Sequence, residues 1–156
     1  ATHITASGDI SASNVIFQER LFPVPVSVDP AYSGDVVQFG NGPSGDINNI
    51  DKGFLYYYNS AGCWELTDAD SEVSSSGMLG IAVESNNNKF LIKGHFYYNS
   101  FTGLDTGDVL YISTTAGYVS DDAPGSGDIA RVVGYCVNGA NRHIFFDPDK
   151  TWVKVS

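Results

Sequence analysis

No stretch of ten or more residues in this chain repeats its apolar positions at helical spacing. From residue 53 to 156, short runs of strand-forming residues alternate instead with turn signals, at the spacing of a β-sandwich or barrel. FLYYY and CWEL flank NSAG, which reads as a hairpin with Gly62 in a positive-φ position. DVLYIS and YVS flank TTAG, a second hairpin signal. KFLIKGHFYY is a long run, and Gly94 in its middle predicts a bulge or bend. GMLGIAV, IARVVGYCV, HIFF and TWVKV complete the set. In the 109–113 run, Val109, Tyr111 and Ser113 fall on one face and Leu110 and Ile112 on the other. One short helical turn is expected in LTDADSEVSS, capped by Thr67 or Asp68. The fold class is therefore all-β: a compact antiparallel sandwich or barrel preceded by an extended N-terminal segment.

Three zones divide the chain. Residues 1–20 are low in complexity, and ITASGD and ISASNV stand there as near-copies. Ile4, Ile10 and Ile16 recur every six residues, an even interval that keeps all three on one face of an extended chain. So thin a stripe cannot bury itself, which makes the three isoleucines the candidate oligomerisation residues. Two partners fit: a symmetry-related copy, or the sheet edge of the next subunit by strand addition. Residues 21–52 are rich in Pro, Gly and Asn and read as a linking region. Pro23, Pro25 and Pro30 confine any strand there to an edge. Residues 53–156 form the head.

The phrase SGD stands at 7–9, 33–35, 44–46 and 126–128, with TGD at 106–108. Gly-Asp before an apolar residue is turn chemistry, with Gly supplying special dihedrals and Asp bonding nearby amides. Nothing follows these phrases that would cradle a phosphate, since neither a helix nor a suitably placed Lys is present.

Few chemistries fit the remaining residues. A net charge of −10 argues against nucleic acid and against an anionic membrane surface. No apolar run is long enough to span a bilayer, and no secretory signal is visible. His3, His95 and His143 lack the spacing of a metal motif, and no GxSxG elbow is present. The acidic groups Asp68/Asp70/Glu72, Asp121/Asp122 and Asp147/Asp149 lack the EF-hand offsets. The expectation is no catalytic residue, no metal and no cofactor. Cys63 and Cys136 sit in apolar settings that suit free buried thiols. The aromatic clusters at Tyr56–Tyr57–Tyr58 and Phe96–Tyr97–Tyr98 each place at least one ring away from a one-sided core. Tyr57, Tyr97 and Tyr98 are the candidate ligand or interface aromatics, with a two-sided core as the plainer alternative.

In the C-terminal part, the phrases GDVLYISTTAG, SGDIARVVGYC and IFFDPDKTWVKV occur in order within residues 64–156. This stretch resembles a β-domain found near the ends of bacteriophage tail-fibre and virion structural proteins of the marine-phage type. ITASGDISASN is similar to the small-residue stretches that lead into fibre heads, where three chains intertwine. The resemblance implies a non-enzymatic virion protein located in the extracellular particle: a tail-fibre or appendage domain, homotrimeric, that joins other virion proteins and contacts host-surface polysaccharide. With only about two N-terminal repeats, a capsid decoration protein and a filament subunit that adds its N-terminal strand to a neighbour stay open.

Overall fold

The computed structural model describes residues 22–25 and 29–156. Ile4, Ile10 and Ile16, and the SGD at 7–9, lie outside the described residues.

The described residues fold into eleven strands, one short α-helix and two single 3-10 turns. In order the strands and the α-helix are β1 (Ala31–Gln38), β2 (Leu55–Tyr58), β3 (Trp64–Leu66), α1 (Glu72–Ser76), β4 (Met78–Ala82), β5 (Lys89–Tyr97), β6 (Val109–Ile112), β7 (Val119–Ser120), β8 (Ile129–Ala130), β9 (Val132–Asn138), β10 (His143–Phe146) and β11 (Val153–Lys154). Both predicted hairpins are present: Tyr58 pairs with Trp64 across a turn with Gly62 at φ 79°, and Ile112 pairs with Val119 across a turn with Gly117 at φ 79°.

β5 organises the main nine-stranded antiparallel sheet. β1 lies along its whole length on one edge, and among the described residues β1 pairs with β5 alone. β4 and β10 must then share the opposite edge, β4 beside Phe90 and Leu91 and β10 beside Gly94 to Tyr97. The sheet forks there into two arms. The first runs β4–β2–β3, and the second runs β10–β9–β6–β7. The register between β1 and β5 shifts at Ile92, and Gly34 faces Gly94 immediately beyond it. A Cβ on Gly94 would sit 2.2 Å from the Ser33 carbonyl oxygen, and one on Gly34 would sit 2.1 Å from that of Lys93. Only glycine fits where the two backbones come so close, and together with the bulge the pair bends the sheet sharply. The bend expected at Gly94 is thus real, and its cause spans two strands.

The curled sheet makes a half-barrel. Leu55, Leu79 and Ile81 point into it from the first arm, Leu91 from β5, and Leu110, Ile112, Val133, Ile144 and Phe146 from the second. Leu110 and Ile112 are fully buried while Val109 is exposed, as the alternation predicts. Backbone bonds stitch the arms together at their far ends. Leu55 N–H donates to Gly117 O (2.8 Å), Gly117 N–H to Thr67 O (2.7 Å) and Ala69 N–H to Ser113 O (3.0 Å).

A second, smaller core covers the outer face of the first arm. Tyr56, Trp64, Ala82 and Phe90 pack there with Ile50 beneath the chain that links β1 to β2. Trp64 is completely buried, stacks on Phe90 at 4.0 Å and donates its indole N–H to Phe39 O at 2.8 Å.

Elsewhere the local readings change. The helix begins at Ser71 rather than at Thr67 or Asp68. Thr67 is buried and donates its hydroxyl to Leu55 O, while Asp68 accepts from the Asp70 amide. Asp46 and Asp108 perform the predicted turn chemistry, accepting from Asn48 N–H and Asp105 N–H. Ser33-Gly34-Asp35 instead lies inside β1, because its glycine serves the crossing with β5. Both cysteines are free and buried. Burial raises the Cys136 thiol pKa above its ordinary value.

β8 and β11 form a separate two-stranded ribbon. Arg131, between β8 and β9, holds it to the head. Its buried guanidinium donates to the carbonyls of Ser75 (2.6 Å), Gly77 (2.7 Å) and Asp149 (2.8 Å), and lies 5.9 Å from the Trp152 ring centroid. Burial lowers its pKa, and the Asp149 charge works the other way.

Candidate functional site

Among the described residues the second arm carries no outer core, and strand register lines up what it shows there. Ser33 pairs with His95, His95 with Phe145, Phe145 with Tyr135, and Tyr135 with Val109. This unbroken row crosses β1, β5, β10, β9 and β6. At ~4.8 Å between strands it is about 19 Å wide. Tyr135 is 49% exposed, and Val137 and Val109 beside it are exposed too. A neighbouring row runs Ala31, Tyr97, His143 and Asn138. Charge appears at the rim, where Lys93 meets Asp147 at 2.9 Å.

Two imidazoles sit in this face with rings for neighbours. His95 meets Phe145 edge-to-face at 5.1 Å, and His143 meets Tyr97 in the same way at 5.1 Å. His95 Nδ1 and His143 Nε2 are buried without a hydrogen-bond partner. Desolvation lowers both pKa values, with the His143 charge adding to the effect at His95. These groups pack as neutral rings.

Of the aromatics singled out in the sequence, Tyr97 is only 8% exposed, and its hydroxyl donates to Asn99 Oδ1 at 2.7 Å. It belongs to the wall behind the face rather than to an exposed platform. Tyr57 packs partly into the half-barrel core, while Tyr56 and Tyr58 serve the outer core. The consecutive tyrosines there reflect a sheet covered on both sides.

Tyr98 turns towards a cleft of about 90 Å³ at the seam where the arms are stitched. Gly53, Phe54, Tyr98, Ser100, Phe101, Gly117 and Tyr118 line it. Phe54 and Tyr118 meet edge-to-face at 5.0 Å, and Tyr98 and Phe101 at 5.9 Å. Phe54 and Tyr118 carry no sequence signal of a site. Each looks like an ordinary residue beside a turn, and only the closing of the half-barrel brings them together.

Among the acidic groups, the Asp68 charge raises the Asp70 pKa. Among the described residues no group of three or more His, Cys, Asp or Glu is arranged to hold a metal ion. No helix among them is long and apolar enough to cross a membrane. Comparison with protein-family models, curated protein sequences and solved structures finds no match for this chain.

Proposed function

We propose that this chain is a non-enzymatic structural module of a bacteriophage virion, a tail-fibre or appendage domain that joins copies of itself and meets host-surface glycan. One observation carries the self-association: Tyr135, Val137 and Val109 stand exposed together on the outer face of the second arm in a chain of net charge −10. Copies so acidic repel one another except where an apolar surface overrides the charge. The occupant of that face is a second copy, led there by its N-terminal segment. Ser33, at the edge of the row, donates its hydroxyl to the carbonyl of Pro23, which puts Pro23 at the rim of this face. The isoleucine stripe upstream needs the burial that such a surface offers. A closed trimer satisfies all copies equally.

The solution mass of the intact chain, compared with a chain lacking residues 1–19, tests this reading. A trimer that becomes a monomer supports it, and an unchanged oligomer contradicts it. One observation favours a second reading. β1 stands at the margin of the nine-stranded sheet, and the N-terminal segment of one copy adding as a strand to the sheet of the next would build a filament. Open-ended polymers instead of a fixed mass would select it.

A further inference from the structure

We infer that the cleft at the seam of the half-barrel binds a single ring of a neutral saccharide. The inference rests on the appendage reading for its use, and names the site and chemical class through which glycan would be met.

The walls are built in place. Gly53 has φ 83°, and a Cβ there would lie 2.3 Å from the Tyr98 ring. A Cβ on Gly117, at φ 79°, would lie 2.7 Å from Leu66 and 2.8 Å from Phe54. Both glycines bring backbone directly against aromatic walls, so the cleft is shaped by the main chain. The same backbone is fixed by the bonds from Gly53 N–H to Ala82 O (2.8 Å) and from Leu55 N–H to Gly117 O (2.8 Å). At about 90 Å³ the cleft lies below the ~300–1,000 Å³ of sites that enclose a drug-sized ligand, so it takes the face of one ring laid against its aromatic walls.

The lining dictates the ligand. Aromatic rings offer flat apolar faces, which suit the C–H face of a sugar ring. The tyrosine hydroxyls of Tyr98 and Tyr118 and the hydroxyl of Ser100 make no hydrogen bond among the described residues, so they are available to donate to and accept from sugar hydroxyls. No lining residue is charged, although 17% of the chain is. An anionic or cationic ligand would find no counter-charge here. A proline-rich peptide also favours aromatic walls, but it lies extended at ~3.1 Å per residue and needs a long groove rather than a small concavity.

The test is an amide NMR titration of the intact protein with the methyl glycosides of glucose, galactose, mannose and N-acetylglucosamine, and with maltose and lactose. At least one should shift Gly53, Ser100 and Gly117 in a saturable way, with Kd on the order of 1 mM or tighter. Tyr118→Ala should weaken it at least ~10-fold, a loss of about 1.4 kcal/mol. Tyr118→Phe should fall between that variant and the native chain, and Val73→Ala, at an exposed position away from the cleft, should bind as the native chain does. The inference is overturned if no probe saturates the cleft, if Tyr118→Ala binds unchanged, or if a proline-rich peptide shifts these amides when the sugars do not. Solution mass is read separately, so a cleft that ignores sugar and a chain that fails to assemble are distinct results.

Discussion

The two arms that fork from β5 share an inner core but differ outside. On the first arm, Tyr56, Trp64, Ala82 and Phe90 are sealed under a chain segment of the same molecule. On the second, Tyr135 stands half exposed in a row with Phe145 and His95, and among the described residues no second core is built over them. Aromatic residues are placed outward on both, so residue type does not separate them. What separates them is chain supply: the link between β1 and β2 turns back over the first arm, and no described segment does the same for the second. A face finished by its own chain contributes to stability, whereas one left unfinished is available to another molecule. On the proposed reading, the same side-chain chemistry serves two ends within one sheet.

Substitutions should expose this difference, starting with the largest effect. Trp64→Ala removes a fully buried ring from the sealed face and should cost about 3–5 kcal/mol, read as a lowered denaturant midpoint. Arg131→Met should cost about 1–3 kcal/mol, because three carbonyls lose their donor, and should free the β8–β11 ribbon to faster hydrogen exchange. Gly94→Ala forces a Cβ into the Ser33 carbonyl at the fork itself and should cost at least ~1 kcal/mol, loosening both arms together. Tyr135→Ala on the open face should change monomer stability by no more than about 0.5 kcal/mol. A large loss at Tyr135 in the monomer would erase the distinction between the arms.

The pH dependence belongs to the second arm as well. His95 and His143 have pKa values lowered in the folded state, so below the ordinary histidine value the unfolded chain binds more protons. Their contribution is complete above pH ~6.5 and is lost as pH falls through and below that value. Thermal unfolding should show a midpoint that declines on acidification from pH ~7, and His143→Phe should flatten that decline. An unchanged slope in the variant would remove the imidazoles as its source.

The sequence was most legible where structure is local. Turn glycines placed both hairpins, and alternation placed Leu110 and Ile112 inside. Gly94 announced its bend through its position in a long strand run, but its partner Gly34 was hidden in a phrase that reads as a turn. The forking of β5 left no local mark, since it depends on which strands share one edge. The open face and the cleft are both products of that fork. Tyr98 was singled out, but the reason that it lines a cleft while Tyr97 is buried lies in the loop after β5 and in the distant Phe54 and Tyr118.

The most direct test of the difference between the arms is the solution mass of Tyr135→Glu in the intact chain, measured by sedimentation equilibrium. A charge at the centre of the open face should dissociate the assembly to monomer while leaving the unfolding midpoint of the monomer near that of the chain lacking residues 1–19. A variant that keeps the native oligomeric mass would contradict the assignment of this face to assembly.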